Sequence, residues 1–168
     1  MSGIFSFTCS CCGEVHEGSP SFGFKAPDPW LSQPDEIKEK GKISDDLCYY
    51  TDEDGTHYFA RVIIEIPIHG VADPFMWGVW VSLSEQSFNH YIETWDEPDT
   101  GKGYFGWFCS ELPYYESTHS LATDVNPQSE GSRPTLCLHK AEHEFYNDFI
   151  NGISIEKAQN IAEICMHG

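Results

Sequence analysis

Apolar and polar positions alternate most regularly over residues 57–68, where Tyr58, Ala60, Val62, Ile64 and Ile66 fall on one face and Arg61 and Glu65 on the other. A period of two over this length is that of a β-strand with one face turned to a core. Upstream, 47–51 reads as a partner strand, joined through Asp52-Glu53-Asp54-Gly55, a hairpin turn whose glycine tolerates positive φ. Residues 75–83 carry Trp77, Val79, Val81 and Leu83 on one side and Trp80 on the other, so both faces are apolar and the strand is expected at the centre of a sheet. Further strands are expected over 104–109 and 135–138, with a short one near 121–125.

The period then changes from two to that of a helix. Ser82 followed three residues later by Glu85 forms a capping-box pattern, and Phe88, Tyr91, Ile92 and Trp95 recur at helical spacing behind it. Residues 142–150 read as a second helix stopped by Gly152, and Ser154 is placed to cap a third with Ile155, Ala158, Ile161, Ala162 and Cys165 on its apolar stripe. A short polar helix is expected over 35–42. Residues 5–18 hold a short apolar alternation broken by the turn Cys11-Cys12-Gly13-Glu14, and the Pro-, Gly- and Ser-rich stretch from there to Pro34 has little periodicity, so residues 1–34 read as an irregular, Cys-rich arm on an α+β core of residues 35–168. One domain is expected, an antiparallel sheet with helices packed on one side.

Composition narrows the function. The chain has 27 acidic and 9 basic residues, a formal charge of −18. Only Arg61 and Arg133 carry guanidinium, so no surface can neutralise a row of phosphates, which argues against nucleic acid and anionic lipid as partners. Such a charge steers a basic partner toward the protein. No stretch reads as a secretory leader or a membrane span, and a cytoplasmic location is expected.

Seven cysteines, three of them at 9, 11 and 12, do not form a disulfide framework. Cys9-Ser10-Cys11-Cys12-Gly13 has the spacing of a knuckle that aims two thiolates at one tetrahedral metal, with zinc the default ion in a structural role. The other ligands must come from a distance. His16, Cys48, His143 and His167 compete for them, and the expected set is Cys9, Cys12, His16 and Cys48.

His139-Lys-Ala-Glu142-His143 matches the His-x-x-Glu-His pattern of inverted zinc peptidases, so a small metal-dependent hydrolase is the alternative reading. No phosphate cradle or nucleophile-elbow serine occurs, and no catalytic residue is assigned. His57, His69, His90 and His119 are read as ordinary surface or core residues. Among the 24 aromatic residues, Trp80, Trp107 and Tyr114 are expected, with Arg61, to line a partner- or ligand-binding surface.

In order, the motifs Phe7-x-Cys9-x-x-Cys12-Gly13-x-x-His16, Phe59-x-Arg61-x-x-x-Glu65-Ile66-Pro67, Trp77-Gly-Val-Trp80, Tyr104-Phe-Gly-Trp107, Leu112-Pro-Tyr-Tyr, Arg133-Pro134, His143 and Gly152-Ile-Ser154 give a pattern that resembles the bacterial domain-of-unknown-function family 2199 over nearly the whole chain. The resemblance implies a bacterial cytoplasmic protein in which the Cys/His arm is an integral part, and it brings no activity or catalytic residue with it. The leading expectation is a zinc-stapled binding protein that captures a protein partner, a basic one on the argument from charge; an immunity- or antitoxin-type role fits, because masking a cationic effector needs negative charge and aromatic anchors and no active site.

Overall fold

The two most apolar strands are the hubs of the fold, because each changes partner along its length. A computed structural model describes residues 4–129 and 132–167. Its elements are β1 (Ser6–Thr8), β2 (Val15–Glu17), β3 (Ser21–Gly23), α1 (Asp28–Leu31), α2 (Asp35–Lys40), β4 (Lys42–Ile43), β5 (Leu47–Asp52), β6 (Gly55–Ile66), β7 (Phe75–Leu83), α3 (Glu85–Glu93), β8 (Tyr104–Phe108), β9 (Ala122–Asn126), β10 (Thr135–Leu138), α4 (Glu144–Asn151) and α5 (Ile155–His167). Along one edge β6 pairs with β7, from Tyr58↔Leu83 to Ile66↔Phe75. Along its other edge it pairs first with β5 and then, at Ile63, with Thr135 of β10. The free edge of β7 likewise takes β3 at one end and β8 at the other.

These exchanges close a ring. β6, β7, β8, β9 and β10 run as an antiparallel meander, and β10 returns to β6 in parallel. Five strands alternating in direction put the first and last the same way up, so an odd ring can close only through one parallel contact. The α+β class holds, but the simple antiparallel sheet expected from the sequence is instead a closed five-stranded barrel. Closure demands that β8 press against β7, and Gly106 permits it: a Cβ there would lie 2.6 Å from the Ser82 carbonyl oxygen.

Two apolar clusters result from the two apolar faces of β6 and β7. The larger holds Val62, Ile64, Trp77, Val79, Phe108, Val125 and Leu136, with Phe88 of α3, Phe145 of α4 and Ala158 and Ile161 of α5. The smaller lies on the opposite face and holds Cys48, Tyr50, Phe59, Trp80 and Cys109, covered by Phe24, Trp30 and Ile37 from residues before β4. Helices therefore cover both faces, not one. Nor is the N-terminal arm irregular: β1 and β2 form a hairpin, and Phe5, Phe7 and Cys9 are buried in the larger cluster. Local chemistry sets the helix ends. α3 begins two residues later than the capping-box pattern suggests, with Ser84 accepting from the Ser87 N–H at 3.1 Å, because β7 pairing continues to Leu83. α5 is capped by Ser154, which accepts from the Lys157 N–H at 3.1 Å, as expected.

Lys157 ties the last two helices together, donating to Glu144 Oε2 at 2.7 Å and to Asp148 Oδ2 at 2.7 Å. Asp148, itself buried, also accepts from the Tyr115 hydroxyl at 2.6 Å. Burial pulls the Lys157 pKa down, but the hydrogen bonds to Asp148 and Glu144 outweigh it and hold it above its ordinary value. The Lys157 bond in turn holds the Glu144 carboxyl below its ordinary range. A depressed carboxylate stabilises the fold above its unfolded pKa, about 4.3 for glutamate, and that stabilisation is lost as pH falls through the folded value. Glu144 is exposed, so Glu144→Gln is expected to cost about 1 kcal/mol or less at neutral pH. It should also flatten the acid limb of stability against pH, measured by urea melts between about pH 3 and 6. An acid limb identical to the parent's would show that the pair does not couple to folding.

Candidate metal centre

The knuckle sequence folds as the turn of the β1–β2 hairpin. Cys9 N–H donates to the Glu14 carbonyl at 2.8 Å and Gly13 N–H to the Cys9 carbonyl at 2.9 Å. Gly13 has φ of +74°, a left-handed conformation that a residue with a Cβ adopts only under strain. Pairing of Phe7 with His16 sets the imidazole across the hairpin, its ring 5.3 Å from the phenyl ring.

The fourth donor comes from the far end of the chain. Gln159, Glu163 and His167 lie four residues apart on α5 and therefore share one face. Glu163 accepts from Ser10 twice, from its N–H at 2.9 Å and its hydroxyl at 2.6 Å, and Gln159 donates to the Thr8 carbonyl at 3.4 Å. One turn beyond Glu163, His167 meets the knuckle. A sulfur, a sulfur and two imidazole nitrogens of Cys9, Cys12, His16 and His167 all lie within 4.8 Å of one another.

This geometry can hold a metal ion. In a tetrahedral site with metal–sulfur bonds of about 2.3 Å and metal–nitrogen bonds of about 2.05 Å, neighbouring sulfur and nitrogen ligands stand about 3.6 Å apart. Cys12 Sγ and His16 Nε2 are separated by 3.6 Å. One of the two thiols is also prepared for the role. Burial raises the Cys9 pKa, yet hydrogen bonds from the backbone at Cys12 and Cys11 outweigh it and bring the thiol below its ordinary value. Cys12 accepts a backbone bond at Glu14 that lowers its own pKa, but desolvation and the neighbouring Cys9 sulfur carry it above the ordinary value. Two adjacent thiols thus resist becoming two thiolates without a cation between them. Cys11 is exposed and stays outside the group.

The structure sorts the other sequence candidates. Cys48, expected as a ligand, lies on β5 in the smaller apolar cluster, where it is 0 % exposed and burial pushes its pKa up to about 12. It is a core residue, because the alternation of β5 turns its side chain away from solvent. His143 caps α4: its Nδ1 accepts from the Phe145 N–H at 3.0 Å, and its Nε2 donates to the carbonyls of Glu116 at 2.6 Å and Ser117 at 3.1 Å. With both nitrogens occupied it cannot serve a metal with His139, which lies 3.0 Å from Asp124 Oδ2 at the end of β10. The strand ends at Leu138 and the helix starts at Glu144, so the His-x-x-Glu-His pattern never becomes the helical turn that its chemistry requires.

The aromatic set also separates. Trp80 is 0 % exposed and its Nε1–H donates to the Phe24 carbonyl at 2.8 Å, so it is a core residue and lines no surface. Arg61 is half-buried, reaching the Asp45 carbonyl at 3.3 Å; burial and the neighbouring Arg133 hold its pKa below the ordinary value. Trp107 is 48 % exposed on the outer side of β8, against Phe105 at 5.0 Å. Tyr114 is exposed elsewhere, in a hollow with Cys11, Glu163 and His167 beside the metal centre. Sequence reasoning named His167 as a competitor and left it out of the expected set. The signal that would have chosen it is the Gln159, Glu163, His167 stripe.

The model of a family described as an uncharacterized protein conserved in bacteria (DUF2199) matches residues 8–153. The chain belongs to that family. Cys9, Cys12 and His16 lie within the matched span and His167 lies beyond it. No curated protein and no solved structure matches the chain. Among the described residues, no helix is long and apolar enough to cross a membrane.

Proposed function

We propose that this member of the DUF2199 family is a zinc-stapled binding protein whose acidic surface captures a basic protein partner. The observation that carries the zinc reading is the Cys2His2 donor set, with three donors on one hairpin and the fourth on the last turn of α5. Two thiolates and two imidazoles suit zinc, and four protein ligands fill its tetrahedron, which is the pattern of a structural ion and not of a catalytic one. In this reading the ion rivets the chain's two ends. The residues do the rest: Gly13 shapes the turn, and the Ser10–Glu163 pair brings α5 to it.

The partner reading rests on charge and on exposed aromatics. A formal charge of −18 favours cationic surfaces, and Phe105 and Trp107, 46 % and 48 % exposed, supply large apolar anchors on one strand. An immunity- or antitoxin-like role is the form of this reading that the charge best suits. The test is co-purification from the native bacterium followed by affinity measurement with the captured protein at 50 and 500 mM salt, roughly 14 and 4 Å in screening length. Affinity should fall at least about tenfold with added salt, and a further tenfold or so in Trp107→Ala. A complex insensitive to both would overturn the proposal.

A further inference from the structure

A second group of metal-competent side chains lies away from the Cys/His centre. Asp28, Glu111 and His119 each offer one ligand atom, and these atoms lie within 4.8 Å of one another. They come from α1 and from the two ends of the connection between β8 and β9. Nothing in their sequence spacing announces the group.

The framework around them is stiff. Asp28 N–H donates to the Cys109 carbonyl at 2.9 Å, and Glu111 N–H returns a bond to Asp28 Oδ2 at 2.8 Å. Thr118, beside His119, is fully buried; its hydroxyl donates to the Ser110 carbonyl at 2.6 Å and accepts from the Leu112 N–H at 3.0 Å. Ser110, also fully buried, accepts from the Trp80 N–H at 3.1 Å. The residues next to Glu111 and His119 are thus locked into the core, and the two ligand-bearing positions are held without help from an ion.

The donor chemistry differs from that of the hairpin centre. One imidazole and two carboxylates make a nitrogen–oxygen set with no sulfur, suited to Mn2+, Fe2+ or Co2+ as well as Zn2+. Their two negative charges match a divalent ion. His119 Nε2 and Asp28 Oδ2 are 2.6 Å apart, joined by a hydrogen bond. Ligands at about 2.1 Å from an ion stand about 3.0 to 3.4 Å apart, so entry of the metal requires that pair to open by less than about 1 Å and the imidazole to give up its Nε2 proton and carry one on Nδ1 instead. Three protein ligands leave coordination positions unfilled.

The second observation is where the group sits: all three residues line an open surface hollow with Pro29, Leu31 and Ser32, and of the three His119 also borders a neighbouring cleft. His119 forms part of the wall of a cleft of about 540 Å3 that also takes in Tyr50, His57, Trp107 and Cys109. His57 enters it oriented by Asp52, with its Nε2 3.0 Å from Oδ1. The cleft is largely apolar, with a few polar groups converging on it, as small-molecule sites are. We propose that Asp28, Glu111 and His119 bind a divalent transition metal with open coordination positions beside this cleft, where a small oxygen-donor ligand completes the metal's shell. This site shares no ligand with the zinc rivet, and its cleft shares Trp107 with the surface proposed for the protein partner.

The test uses the full chain with its Cys2His2 centre loaded with one equivalent of zinc. Co2+ titrated into it should add a second equivalent, giving weak visible absorption without a thiolate charge-transfer band. Mn2+ should show enhanced water-proton relaxation, the signature of water on the open positions. Glu111→Gln removes an exposed carboxylate while leaving the Glu111 backbone bond to Asp28 in place, and should weaken Co2+ at least about tenfold. His119→Asn should do the same, with its thermal melt recorded alongside. Absence of any Co2+ bound without a thiolate charge-transfer band, or such binding that Glu111→Gln leaves unchanged, would overturn the proposal whatever His119→Asn does to folding and whether or not the Cys2His2 centre takes zinc.

Discussion

Cys9→Ser is expected to lower the melting temperature by about 10 °C and to abolish stoichiometric zinc. The magnitude follows from linkage: an ion bound only by the folded chain, at a free concentration 1,000 times its dissociation constant, contributes about 4 kcal/mol. For a domain of this length each kcal/mol moves the transition by about 2 to 4 °C. The loss should fall short of complete unfolding, because the barrel has its own apolar core and the hairpin keeps Phe5 and Phe7 buried against it. Stripping the metal with a chelator should reproduce the shift in the parent protein and leave Cys9→Ser unaffected. His167→Ala, with three donors remaining, should show a smaller shift and weaker metal retention. Cys48→Ala separates core packing from ligation, since it should lower stability while keeping one zinc per chain, measured by atomic emission after gel filtration. Zinc lost from Cys48→Ala but retained by Cys9→Ser would refute the assignment of the centre.

Trp80→Ala should cost about 3 to 5 kcal/mol, the range for removing a fully buried large aromatic, and so lower the melting temperature by about 10 °C as well. Its indole belongs to the buried cluster of Cys48, Tyr50, Phe59 and Cys109, against which Phe24 and Trp30 of the segment before β4 pack. Truncation leaves a cavity and also strands the Phe24 carbonyl that the indole N–H satisfies. Trp80→Phe keeps most of the volume and loses that bond, so it should cost distinctly less. Hydrogen exchange should localise the damage, with amides of residues 24–43 losing protection before those of the barrel. A Trp80→Ala protein as stable as the parent would mean that this face is open to solvent and that the segment before β4 does not seal it.

These two experiments probe different kinds of information in the chain. The hairpin at Asp54-Gly55, the alternation of β6, the Ser154 cap and the Cys9-x-x-Cys12-Gly13 turn are legible because each depends on residues within a few positions of one another. The capping box at Ser82 misled because a longer strand pairing overrode a local preference. Trp80 misled for a related reason. Periodicity shows that both faces of β7 are apolar, and it cannot say whether the second is covered by another part of the chain or left as a binding surface.

The sequence by itself determined the strands from β5 onward, the helices from α2 onward, the acidic charge and three of the four donors of the candidate metal centre, since each is a matter of local pattern or composition. Only the tertiary structure decided that five strands close into a ring and that His167, not Cys48, stands beside the two thiols. It also decided that Asp28, Glu111 and His119 meet. The physical reason is common to all three. Groups separated by tens to more than a hundred residues converge through the pairing register of strands and the docking of helices, and those depend on packing summed over the whole chain.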